Sequence, residues 1–214
     1  MASWWHYVVP FGIFILLTEI GNLFPELTYW FYTLKTILVG LLLFFWRRFY
    51  AELWVKSHPR DIAIGILAGL GVLLFWVGME GYLPQLSESK GISPYLTEGR
   101  KSIIFLNIFF RLLGTALVVP VMEELFWRSF LMRYFINKKF YEVPLGTYTH
   151  FSFWAVAVLF ALEHFRIIPG LLAGVTYGWL ICWSKNLRVS IVSHLVTNLG
   201  LGIYVLFTHQ WKFW

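Results

Sequence analysis

Long apolar runs constrain this fold before any single residue does. They lie near residues 5–24, 28–46, 61–79, 103–122, 151–165, 167–183 and 189–208. A hydrocarbon core about 30 Å thick takes roughly 20 residues of helix. Backbone polar groups inside it must be satisfied within the segment, which only helices and closed barrels achieve. The runs predict an all-α, multi-pass transmembrane helical bundle of seven or eight spans, the eighth depending on residues 123–136. Composition agrees, because only 13% of the 214 residues are charged, against about 25% for a soluble domain.

The net charge of +6 reads as cytoplasmic loop charge on a membrane protein, and no nucleic-acid partner is expected. With seven crossings and the N-terminus inside, nine cations fall in cytoplasmic loops: Arg47, Arg48, Lys56, Arg60, Arg133, Lys138, Lys139, Lys185 and Arg188. Five fall opposite: Lys90, Arg100, Lys101, Arg166 and Lys212. The bias favours this orientation. The first run lacks a basic leader and a small-residue cleavage site, so it reads as a retained span. A single cysteine, Cys182, rules out an intrachain disulfide.

Local punctuation adds detail. Residues 123–136 continue the fourth run as an amphipathic helix, and Pro120 predicts a kink where it removes a backbone donor. The loop 80–102, rich in Gly, Pro and Ser, has room for an interfacial segment. Gly65 and Gly69, and then Gly170, Gly174 and Gly178, recur at helical spacing. Such ladders let helix backbones approach closely and are packing devices.

Against this background, "VPVMEELFWRSF" (118–129) is anomalous. Each ionisable group at bilayer depth costs roughly 2.5 to 3.5 kcal/mol, and here are Glu123, Glu124 and Arg128. Glu124 and Arg128 stand at i and i+4 with the acid first, the favoured order for a helical ion pair. Glu123, about 100° away around the helix, is left without that partner. Two further sets occur on later runs: Phe160 with His164 in "FALEHF", and His194 with Asn198 in "SHLVTNLG". Intramembrane polar groups usually face the bundle interior, where they can meet. A glutamate and a histidine can bind and deprotonate a water, while a second histidine and an amide can donate to an oxyanion. That set suffices for peptide hydrolysis without a covalent intermediate. A metal is not required, although Glu123, His164 and His194 also match a zinc set of two His and one Glu. A His-Glu-x-x-His helix and a Gly-x-Ser-x-Gly elbow are both missing from the sequence.

Taken together and in this order, Glu-Glu-x-x-x-Arg (123–128), Phe-x-x-x-His (160–164) and His-x-x-x-Asn (194–198) resemble the CAAX-protease and bacteriocin-processing family of intramembrane endopeptidases. The resemblance covers about residues 100–205. Stretches such as "LFALEH" and "NLGLGIYVLFTHQWKFW" extend it to the bacterial CAAX prenyl protease-related branch that accompanies exosortase systems. It implies that Glu123 and His164 activate the water, that His194 and Asn198 form the oxyanion hole, and that Glu124 and Arg128 hold the helix. Ser129 stands where many members have glycine. The implied organisation is N-terminal transmembrane helices and a connecting loop over 1–100, then a catalytic core over 101–214. The implied setting is the inner (plasma) membrane, with the lipid bilayer and a membrane-associated protein or peptide as partners, an exosortase-system substrate among them. No cofactor is implied. A non-proteolytic chaperone or immunity-type binding protein remains the alternative, and a proton-coupled transporter lacks its paired halves.

Overall fold

A computed structural model describes residues 3–85, 91, 93–96 and 101–214. Among these there are helices and no strands. Seven helical rods form: α1 (Trp5–Asn22), α2 (Thr28–Trp46), α3 (Pro59–Gly78), one rod over Lys101–Tyr134, α7 (His150–Leu162), α8 (Ile167–Ser184) and α9 (Leu187–Thr208). The expected all-α bundle is therefore present. Five of these stretches are long and apolar enough to cross a membrane, and α1 and α7 fall outside that group. The chain is an integral membrane protein. Lys90 and Arg100, counted in the charge bias, lie outside the described residues, as do 86–90, 92 and 97–100 of the loop expected to hold an interfacial segment. Within it, Pro94–Leu96 forms one 3₁₀ turn.

Helix starts follow local chemistry. His58 accepts from the Arg60 N–H ahead of Pro59, Thr149 accepts from Ser152, and Asn186 accepts from Arg188. Each satisfies a donor that the first turn would otherwise leave open. The rod over 101–134 is less regular. It runs as α4 (Lys101–Leu113), a π-helical stretch (Gly114–Val118), α5 (Val119–Glu124), a second π stretch (Leu125–Leu131) and α6 (Met132–Tyr134). The disturbance expected at Pro120 thus takes the form of wider turns on the preceding residues. Its 34 residues span about 51 Å at 1.5 Å per residue.

The helix α7 is shorter than its apolar run suggested. With 13 residues it rises only about 20 Å, less than the core of a bilayer. The chain turns at 163–166 before α8 begins. His164 therefore lies just past a helix end instead of inside a span.

Glycine ladders do the packing. A Cβ on Gly65 or Gly69 would stand 2.8 Å from Val189 O or 2.3 Å from Ser193 O, so α3 lies backbone to backbone on α9. At that crossing Thr197 Oγ1 donates to Gly69 O at 2.9 Å. Gly174 and Gly178 meet Ala157 and Phe153 of α7 in the same way, at 2.9 and 3.0 Å. The core joins Tyr7, Tyr50 and Val72 to Leu125, Phe160, Tyr177 and Leu187. Large apolar side chains such as Trp30, Leu67, Leu74 and Phe207 point outward, as lipid-facing residues do.

Candidate active site

The two adjacent glutamates end α5, between the π stretches, and their surroundings differ. Glu124 is fully buried. Arg128 Nη1 lies 3.1 Å from its Oε1, so the expected ion pair is present. Ser190 Oγ donates to Oε2 at 2.6 Å, and His194 Nδ1 lies 3.0 Å from Oε1. All of these neighbours can donate, so the carboxylate accepts throughout. Arg128 also donates to Gly174 O at 3.4 Å and lies over the Phe160 ring at 4.3 Å. Glu124 and Arg128 thereby tie α5 to α8 and α9.

Glu123 is also buried, but its Oε2 has no hydrogen-bond partner. Among the sequence-predicted residues its described neighbour is His194, whose Nε2 lies 3.9 Å away. His194 thus spans both carboxylates, with Nδ1 on Glu124 and Nε2 towards Glu123. Its ring stacks on Tyr177 at 4.7 Å.

His164 is oriented by its own helix end. Its Nδ1 lies 2.7 Å from Phe160 O. A carbonyl only accepts, so Nδ1 carries the proton and Nε2 is the open acceptor. The Trp76 ring meets it edge-on at 5.5 Å.

Asn198 donates from Nδ2 to Thr115 O at 2.9 Å. Pro120 explains why that carbonyl is available. In the π register a carbonyl takes its hydrogen bond from the fifth residue onward, which for Thr115 is a proline without an N–H. The amide keeps a second N–H free.

Thr115, His164, His194 and Asn198 line one cavity of about 200 Å³, together with Arg111 and Arg166. Glu123 and Glu124 are not part of its wall and communicate with it through His194. Sequence reasoning missed several groups. Ser190 stands one turn before His194 on the same face, a spacing that was legible. Nothing local signalled Glu52, which accepts from Tyr7 at 2.9 Å and from Ser129, with Arg133 at 3.6 Å. Nor did anything signal Glu80, held by Arg166 at 2.6 and 3.0 Å and approached by Lys212 at 3.1 Å. Arg166 draws the Glu80 carboxyl down to about 2; burial opposes the shift, and Gln85 and Lys212 add to it. Among the described residues no three of His, Cys, Asp and Glu stand close enough to hold a metal ion.

The chain is thus a helical membrane protein with two imidazoles on an internal cavity and two buried carboxylates beside one of them. Comparison narrows the class. Residues 105–200, which hold all three motifs, match the family described as type II CAAX prenyl endopeptidase Rce1-like. Over this segment, a little under half of the chain, the protein is similar to the CAAX protease family. No curated protein and no solved structure matches the chain.

Proposed function

We propose that this protein hydrolyses a peptide bond of a membrane-associated protein or peptide with an activated water, at the inner membrane of a bacterial cell. The observation that carries the reading is the contrast between the glutamates: Glu124 is fully engaged, while Glu123 keeps an unpartnered oxygen beside His194. A buried acceptor without a partner is costly and calls for a role.

In this reading Glu123 takes a proton from the water, and His164 holds the water through its open Nε2. The hydroxyl oxygen bonds to the carbonyl carbon, and the carbonyl electrons move onto oxygen. Asn198, through its second N–H, and His194, acting as an imidazolium throughout with Nδ1–H on Glu124 and Nε2–H free, donate to that oxyanion. Collapse breaks the C–N bond, and the proton held on Glu123 passes to the leaving amine. Glu124 and Arg128 touch no substrate; they hold His194 and α5 in place. The family match over residues 105–200 supports endopeptidase chemistry in general, and the contacts described above are compatible with these roles.

The test is mass spectrometry of membrane peptides from cells carrying the wild-type chain or Glu123→Gln. A cleavage product present only with the wild type is expected, and proteins of an exosortase-type sorting system are the first to search. Identical peptide sets at equal protein levels would replace hydrolysis with the binding-protein reading.

A further inference from the structure

Three cations lie in the membrane stretches more than five residues from either end: Lys35, Arg111 and Arg128. Arg128 has Glu124. Lys35 donates to Thr18 Oγ1 at 2.6 Å. Arg111 has neither kind of partner among the described residues. Its Nε is buried without an acceptor. Its guanidinium lies over the Tyr32 ring at 4.2 Å and 5.7 Å from the Trp214 ring. Ring faces attract the charge, yet they leave the directional N–H donors of a guanidinium unspent. Lys35 Nζ lies 4.7 Å from that same Tyr32 ring, so two positive groups flank one aromatic.

Other arginines show how unusual this is. Arg128, Arg133 and Arg166 each have a carboxylate within 3.6 Å. Arg166 shares the cavity wall with Arg111 but is neutralised by Glu80. Arg111 is the cation of that wall without an acid. It also stands one helical turn before Thr115, whose carbonyl holds Asn198.

We infer that Arg111 anchors a carboxylate of the bound peptide, which completes the missing ion pair and sets the peptide beside His164, His194 and Asn198. A carboxylate fits a guanidinium fork through two parallel hydrogen bonds. A lipid phosphate is the poorer fit, because Arg111 lines the same cavity as His164, His194 and Asn198, which the peptide has to enter. Headgroups stay at the interface, whereas the end of a peptide can be drawn in. The carboxylate can belong to a chain terminus or to an acidic side chain. The inference rests on the peptide-hydrolysis reading for its substrate class but not for its test.

That test is binding to full-length Glu123→Gln protein in detergent, read by calorimetry. The probes are N-acetyl-trileucine with a free carboxylate, the same peptide amidated, and amidated N-acetyl-Leu-Glu-Leu. A free carboxylate, terminal or on the Glu side chain, should improve binding over the amidated trileucine by about 10-fold or more, as hydrogen bonds to charged groups do. Whichever acidic probe gains identifies the source of the carboxylate. Adding Arg111→Gln should erase the gain, and Arg111→Lys should restore part of it. A purely structural arginine would instead lower Tm while leaving the preference intact. Equal binding of acidic and amidated probes, binding of none, or a preference that survives Arg111→Gln overturns the assignment. Hydrolysis assays on the wild type separate the two readings. Turnover that ignores the carboxylate removes only the Arg111 anchor, whereas a clear binding preference without turnover removes only the peptidase.

Discussion

Two regions of the bundle treat buried charge in opposite ways. Around Glu124, and again around Glu52, each carboxylate is met by several donors: Arg128, Ser190 and His194 on one, Tyr7, Ser129 and Arg133 on the other. By contrast, Arg111 Nε at the cavity wall and Glu123 Oε2 behind His194 have no partner. Networks that set several donors on each carboxylate fix geometry, although Arg128 Nε there also lacks an acceptor. Open groups are costly to keep, and that cost is offset only when water or substrate arrives. In the proposed mechanism this difference separates bracing residues from reacting ones even where they are sequence neighbours, as Glu123 and Glu124 are.

The sharpest way to break this comparison is to remove the charge of each glutamate alone. Glu123→Gln keeps volume and takes away the base, so turnover should fall by about 100- to 10,000-fold with Tm little changed. Glu124→Gln strips Arg128 and His194 of their shared acceptor, and breaking such a buried pair costs about 3 to 5 kcal/mol. Its primary effect should be a lowered Tm and a reduced yield of folded protein. Measuring turnover and Tm on the same detergent preparations decides between them. Equal activity losses at equal stability would merge the two regions into one.

Asn198 tests the open side at a smaller magnitude. Loss of one oxyanion donor removes about 2.7 to 4 kcal/mol, or 100- to 1000-fold in kcat, with KM little altered. Asn198 also donates to Thr115 O, so Asn198→Ala should lower Tm slightly as well. A normal kcat with a lowered Tm would reduce Asn198 to a brace between α9 and the π stretch.

The smallest expected effect concerns the rim, where Glu80 holds Arg166 and Lys212. Its folded pKa of about 2 lies below the ordinary value of 4.5. Its contribution to stability is therefore fully present above pH 4.5 and is lost as pH falls from there towards 2. A scan of Tm over that window should show a drop that Glu80→Gln flattens. An identical slope in both proteins would mean that the rim ion pair adds nothing to the closed regions.

Much of this protein was written along the chain. Residues 28–46 and 167–183, read as apolar runs, became α2 and α8 almost to the residue, because hydrocarbon forces an apolar segment to satisfy its backbone internally. The glycine ladders at 65–69 and 170–178 announced close helix crossings, since a missing Cβ has one obvious use at helical spacing. The Glu124–Arg128 pair was legible as an i, i+4 contact within one helix. Local rules reach that far. They could not reveal that α7 stops after 13 residues, which sets the level of His164, because an apolar run shows composition and not where the chain turns. Nor could they bring His194 to Glu124, Asn198 to Thr115, or Glu52 to Ser129, pairs separated by 70, 83 and 77 residues. Those partners are chosen by how the helices rotate and cross. Only the packed bundle decides which buried groups end up satisfied, and which, like Glu123 and Arg111, are left open.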